Sequence, residues 1–225
     1  MATDFPLGLA PQSVLFDLEN ASRSGGVSTT GLERIIGSGA SRWRATYSNI
    51  PVNTADEVLA YRAFKIGLRG RAGTFLASPF DRNTVNWPVD EFGRLLNPAF
   101  TRDRRLDGSI YQDPEIPAAS QVVATFAASA LRRATTVQIA VSQGSSIKAG
   151  QYFSPSAGRL HVITEVVTLG TYAIMPPLRD AATIGQSVNF TRPTCEMRLA
   201  TDDSGALDLQ LARFGSVTID MIEAV

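Results

Sequence analysis

Apolar and polar positions alternate with a period of two through much of the chain. In SVLFDLE, Val14, Phe16 and Leu18 alternate with Leu15, Asp17 and Glu19, the signature of a half-buried strand. A Gly/Ser-rich turn is expected over Ser22 to Gly26. RWRATYSNIPV predicts a second strand with Trp43, Ala45 and Tyr47 on one side and Arg42, Arg44 and Thr46 on the other. GTFLASPF, Gly73 to Phe80, reads as a third. From Asp81 to about Ala119 no period is sustained and the chain is rich in proline and charge, which predicts a long connection.

The alternation resumes near Val122. Val137, Ile139 and Val141 share one side; Leu160, Val162 and Val166 predict the apolar face of another strand, with His161, Ile163 and Glu165 opposite. A short apolar run covers Ala173 to Met175. Cys195, Met197 and Leu199, then Leu207, Leu209 and Leu211, then Val217, Ile219 and Met221 repeat the theme, separated by turn signals such as SPSAG and TDDSG. One segment breaks the pattern. In NTADEVLAYRAFKIGLRG, Thr54 and Glu57 match a capping box, and helical spacing puts Ala60, Tyr61, Phe64 and Leu68 on one side against Arg62, Lys65 and Arg69. The helix is expected to end near Gly70.

These elements predict a mainly β protein with one α-helix: an N-terminal β-sandwich plus helix, and a second small β-sandwich or barrel domain. The boundary is expected near residue 120, giving domains over 1–119 and 120–225, with the option that the C-terminal strands return to the first sheet.

A length of 225 residues supports a substantial core without covalent staples. Lysine plus arginine equals aspartate plus glutamate at 21 each, so no long-range field favours nucleic acid, and near-zero net charge weakens repulsion between copies. Only Lys65 and Lys148 among the 21 basic residues are lysine; arginine binds carboxylates in a bidentate fork and suits interfaces. One cysteine, Cys195, excludes an internal disulfide and a multi-cysteine zinc site. MATDFPLGLAPQ shows no signal peptide and no run is long and apolar enough to span a membrane, which leads to the expectation of synthesis in the cytoplasm.

Candidate chemistry is sparse. His161 is the single histidine, which leaves no multi-histidine metal site and favours a structural role. GSGAS at Gly37 to Ser41 is neither a nucleophile elbow nor a dinucleotide fingerprint, since Arg42 stands where the last glycine belongs. Cys195 falls on an apolar face, as a buried inert thiol does. The stretch Asp103 to Gly108 has acids and a glycine like a calcium loop, but Arg105 and Pro114 occupy ligand positions. The acid pairs Asp56 with Glu57, Asp90 with Glu91, and Asp202 with Asp203 have simple readings as helix start, polar loop and hairpin turn. Arg132 with Arg133, and the cluster Arg102, Arg104 and Arg105, lack interleaved aromatics for nucleic acid. No catalytic, cofactor or metal residues are assigned, and a non-enzyme is expected.

The order of features, with GLRGRAGTFLASPFD, IKAGQYFSPSAGRLHVITEV, MPPLRDAATIGQSVNFTRPTCEMRLATD and the terminal GSVTIDMIEA, resembles the distal tail proteins of long, non-contractile tailed phages. The resemblance implies a structural virion protein at the tail tip, a homo-oligomeric ring, typically hexameric, joining the tail tube protein to the baseplate hub and fibres, with no catalytic residues to carry over. Two alternatives stand beside it. One is a carbohydrate-binding β-module using Trp43, Trp87 and Tyr152 to stack on sugars; the other is a head-tail connector or tail terminator.

Overall fold

The computed structural model describes residues 2–6, 8–20, 22–37, 40–80, 122–144, 146–210 and 214–224. The chain is mainly β with one α-helix, and it forms two compact units. The expected connection from Asp81 to Ala119 lies outside the described residues, and so do Trp87, Asp90, Glu91, the Arg102, Arg104 and Arg105 cluster, the calcium-like stretch, and Leu211.

The first unit comprises Met1–Phe80, Ala157–Arg159 and Thr194–Val225. Its strands are β1 (Thr3–Asp4), β2 (Ser13–Glu19), β3 (Ser22–Val27), β4 (Glu33–Gly37), β5 (Arg42–Val52) and β6 (Phe75–Ala77), then β13 (Cys195–Leu199), β14 (Asp208–Gln210) and β15 (Phe214–Glu223). A seven-stranded sheet runs β1-β6-β13-β15-β5-β2, with β14 paired to β15; only β1 and β6 are parallel. The last strands therefore return to the first sheet. A single cut at residue 120 misplaces them, because β13 and β15 take their hydrogen-bond partners from β6 and β5, more than a hundred residues earlier.

The period-two faces explain the core. Trp43, Ala45 and Tyr47 of β5 are buried with Cys195, Met197 and Leu199 of β13 and Val217, Ile219 and Met221 of β15. Each fully buried large side chain contributes roughly 1.5–3 kcal/mol. The outward face of β5 meets acids: Arg42 Nε lies 3.0 Å from Glu19 of β2, and Arg44 stands opposite Asp17.

Helix α1 (Ala55–Gly67) starts as the sequence predicts. Thr54 Oγ1 accepts from the Glu57 amide at 3.2 Å, while the Glu57 carboxylate accepts from the amides of Asn53 at 2.7 Å and Thr54 at 3.2 Å. The Asn53 amide, then that of Thr54, holds the Glu57 carboxyl below its ordinary range. Its contribution is present above the ordinary carboxylate range and is lost as pH falls through that lowered value. Thr54→Ala is expected to cost about 1 kcal/mol, read as a lower urea midpoint with an unchanged slope; an unaltered midpoint would contradict the capping role.

The buried side of α1 is Val58, Tyr61 and Phe64, followed by Leu68; Ala60, expected there, is exposed. Val58 takes its place because Val58 lies one turn before Tyr61 on the side that meets the sheet, whereas Ala60 lies at the opposite margin of that face. Phe64 packs edge-on against Phe75 with ring centroids 5.2 Å apart, and Phe5 bridges Phe64 and Tyr47 at 5.5 Å each.

The described part of the second unit covers 122–144, 146–156 and 160–193. Its strands are β7 (Val123–Phe126), β8 (Thr136–Gln143), β9 (Tyr152–Phe153), β10 (His161–Thr168), β11 (Thr171–Met175) and β12 (Ser187–Val188). They run β12-β7-β8-β11-β10-β9, every pair antiparallel, with β8 to β11 in a Greek key. Ser154 and Asn189 exchange backbone hydrogen bonds of 3.0 and 2.9 Å, joining β9 to β12 and bringing the sheet round into a nearly closed barrel. So small a barrel is filled by side chains. Phe126, Ile139, Phe153, Ile163, Tyr172, Ile174 and Phe190 are among its large buried residues.

Between these stretches the chain dips into the first unit at Ala157–Arg159. Gly158 there has φ +82°, and a Cβ would come within 2.9 Å of Glu196 Cβ. Only glycine permits that approach while the Glu196 amide donates to the Gly158 carbonyl at 2.9 Å.

Candidate interaction surface

His161 opens β10 and is fully buried. Leu160 is buried as expected, but the facing of the strand itself is reversed: His161 and Ile163 point inward, whereas Val162 is half-buried and Val166 exposed. The alternation of buried positions holds only over His161–Ile163; β10 then carries irregularities after Ile163 and after Val166, so one period of two does not run from Val162 to Val166. Nδ1 of His161 lies 2.9 Å from the Pro176 carbonyl oxygen, and because a carbonyl only accepts, Nδ1 carries the proton. The ring lies 5.5 Å from that of Phe153.

The other candidates scatter. Cys195 is buried on β13. Arg132 and Arg133 are exposed in a turn, where the Arg133 amide donates to the Leu178 carbonyl at 2.8 Å. Asp202 caps the turn after α1, its Oδ1 accepting from the Arg71 amide at 2.9 Å. Lys65 donates to the carbonyls of Asp202, at 3.1 Å, and Ser204; burial lowers its pKa, partly offset by the charges of Asp203 and Asp202. Tyr61 donates to the Gly205 carbonyl at 2.6 Å, and burial pushes its ionisation up. Among the described residues no three His, Cys, Asp or Glu side chains gather to hold a metal, and no helix is long and apolar enough to cross a membrane.

The sugar-stacking trio does not assemble among the described residues. Trp43 is 2% exposed, packed 5.8 Å from Phe16, with its backbone amide donating to the buried Glu223 carboxylate at 2.9 Å. Tyr152 is half-buried on β9. A shallow depression in the second unit is lined by Val122, Ser187, Val188, Asn189, Thr191 and Arg192. Asn189 and Arg192 already close a turn on each other there, at 3.0 Å in both directions.

What the molecule does expose is apolar surface. The β2–β5 ladder ends at Glu19 opposite Arg42, and the same two chain segments pair again as β3 and β4, from Ser22 opposite Gly37 to Val27 opposite Glu33. Every residue of this ribbon, 22–37, is exposed, including Val27, Leu32, Ile35 and Ile36 at 67, 75, 65 and 56%. The turn expected over Ser22 to Gly26 is instead strand β3, with an irregularity after Ser24 where Gly26 takes φ +91°. The reversal comes later, where the Ser28 amide donates to the Leu32 carbonyl at 2.9 Å. Glu33 accepts from Ser24 Oγ across the ribbon at 2.6 Å.

Sequence reasoning missed this arm because serine and glycine dominate β3; the signal lay in LERII, three aliphatic residues around one charge pair beside a turn. Helix α1 carries a second such surface: Leu59 and Ile66 are 61 and 75% exposed, with Ala63 between them on the same side. No protein-family model and no curated protein matches the chain.

Proposed function

We propose that the protein is a structural subunit of a tailed-phage virion, a distal tail protein whose copies form a ring joining the tail tube to the baseplate hub and fibres. The observation that carries the assembly role is the ribbon of β3 and β4, a two-stranded arm with four exposed aliphatic side chains and, among the described residues, no cover from its own unit. An isolated two-stranded ribbon is marginal in water, and apolar groups so displayed mark protein contacts. The tail-tip location rests on the resemblance of sequence features, and the charge balance of 21 basic and 21 acidic residues agrees with docking to like copies.

Immunogold electron microscopy tests the location. Antibody raised against the chain is expected to label particles at the free end of the tail. Labelling at the head-to-tail junction would move the protein to the connector or terminator role, and particles bearing none of the protein would end the virion reading.

A further inference from the structure

Among the described residues of the first unit two apolar surfaces are exposed, and they are different in kind. The arm presents a strand face: Ile36 and Arg34 alternate on one side of β4, Arg23 stands opposite Ile36, and the period of two carries Leu32 to the same side. The other is a stripe on α1, where Leu59, Ala63 and Ile66 recur at helical spacing opposite the buried Val58, Tyr61 and Phe64. A helix apolar on two sides is a helix covered on two sides, and the sheet covers only one.

We infer that the β3–β4 arm of one copy packs across the outer stripe of α1 on the next copy. The inference rests on the ring reading and specifies its contact.

The dimensions agree. Leu59 to Ile66 spans two helical turns, about 10 Å, and Leu32 to Ile36 spans about 13 Å of extended chain. Charged groups border both surfaces: Arg23 and Arg34 flank the apolar positions of the arm, exposed Asp56 stands one turn before Leu59, and exposed Arg62 lies between Leu59 and Ile66. The face that carries Leu32, Arg34 and Ile36, one side of a ribbon whose sixteen positions 22–37 are all exposed, supplies part of the roughly 20–30 residues a side of a specific interface. A second copy is the occupant because this one chain displays both halves of the contact and has no net charge to keep copies apart.

The symmetry follows. Donor and acceptor surfaces differ, so the contact is heterologous; each copy gives an arm to one neighbour and receives an arm from the other, which closes into a ring when the rotation allows. A two-fold dimer does not use this contact, because it needs the same patch on both sides.

The test uses two double variants of the full chain, all at exposed positions. Leu32→Glu with Ile36→Glu removes the arm's apolar face; Leu59→Glu with Ile66→Glu removes the stripe. Sedimentation velocity should show wild-type rings and each variant alone as a folded monomer. An equimolar mixture should form a 1:1 dimer and stop there, since one intact arm meets one intact stripe and the remaining halves are both disabled. Wild-type rings that persist in either variant, or variants that stay monomeric when mixed, would overturn the arm-to-helix contact and leave the ring itself standing. A wild-type chain that remains monomeric at every concentration would remove both.

Discussion

Replacing Trp43 by alanine should unfold much of the first unit rather than silence a binding site, with a loss of about 3–5 kcal/mol. Trp43 is 2% exposed, on the inner face of β5 beside Phe16, so truncation leaves a cavity that close-packed neighbours fill only in part. Its amide also fixes Glu223 near the end of β15 to the start of β5, a backbone contact that survives the substitution only if both strands stay in place. Urea titration followed by circular dichroism and by amide exchange across β5 and β15 reads the effect. A variant as stable as wild type that has lost affinity for a polysaccharide would return Trp43 to a sugar-binding role.

The second large effect is in the barrel. His161→Ala should cost about 3 kcal/mol, combining a cavity beside Phe153 with a Pro176 carbonyl deprived of its donor. His161→Asn keeps an N–H near the position of Nδ1 and should recover part of the loss. Exchange protection of β9, β10 and β11 is the readout. If alanine leaves protection within about 0.5 kcal/mol of wild type, as a surface position does, the structural role fails, and measurable turnover that vanishes with it would place His161 in a reaction instead.

The physical limits of the sequence reading are visible in particular residues. The strand faces of Trp43, Ala45 and Tyr47 and of Cys195, Met197 and Leu199 were legible because a regular period of two determines which side meets the core. The capping box at Thr54 and Glu57 was legible for the same reason: the physics is local. The facing of His161 was not legible, because a period of two shows which residues share a side and not which side is buried; that is decided by pairing with β9 and β11, which lie outside any local window. The return of β13 and β15 to β5 and β6 is likewise a matter of non-local pairing.

The arm shows a different limit. Serine and glycine in Ser22 to Gly26 carry turn propensity, yet pairing with Glu33–Gly37 overrides it. Propensity at such residues is a weak guide once a partner strand is present. The exposed stripe of α1 was hidden by the assumption that a helix has one apolar side; Leu59 and Ile66 fall on the other.

Self-association of the intact chain decides the account most directly. Native mass spectrometry over a range from low to high micromolar should show a closed oligomer of one fixed stoichiometry displacing the monomer as concentration rises, without a ladder of larger species. A monomer throughout, also after mixing with the tail tube and hub proteins, would contradict the claim that these β units are built to dock on copies of themselves.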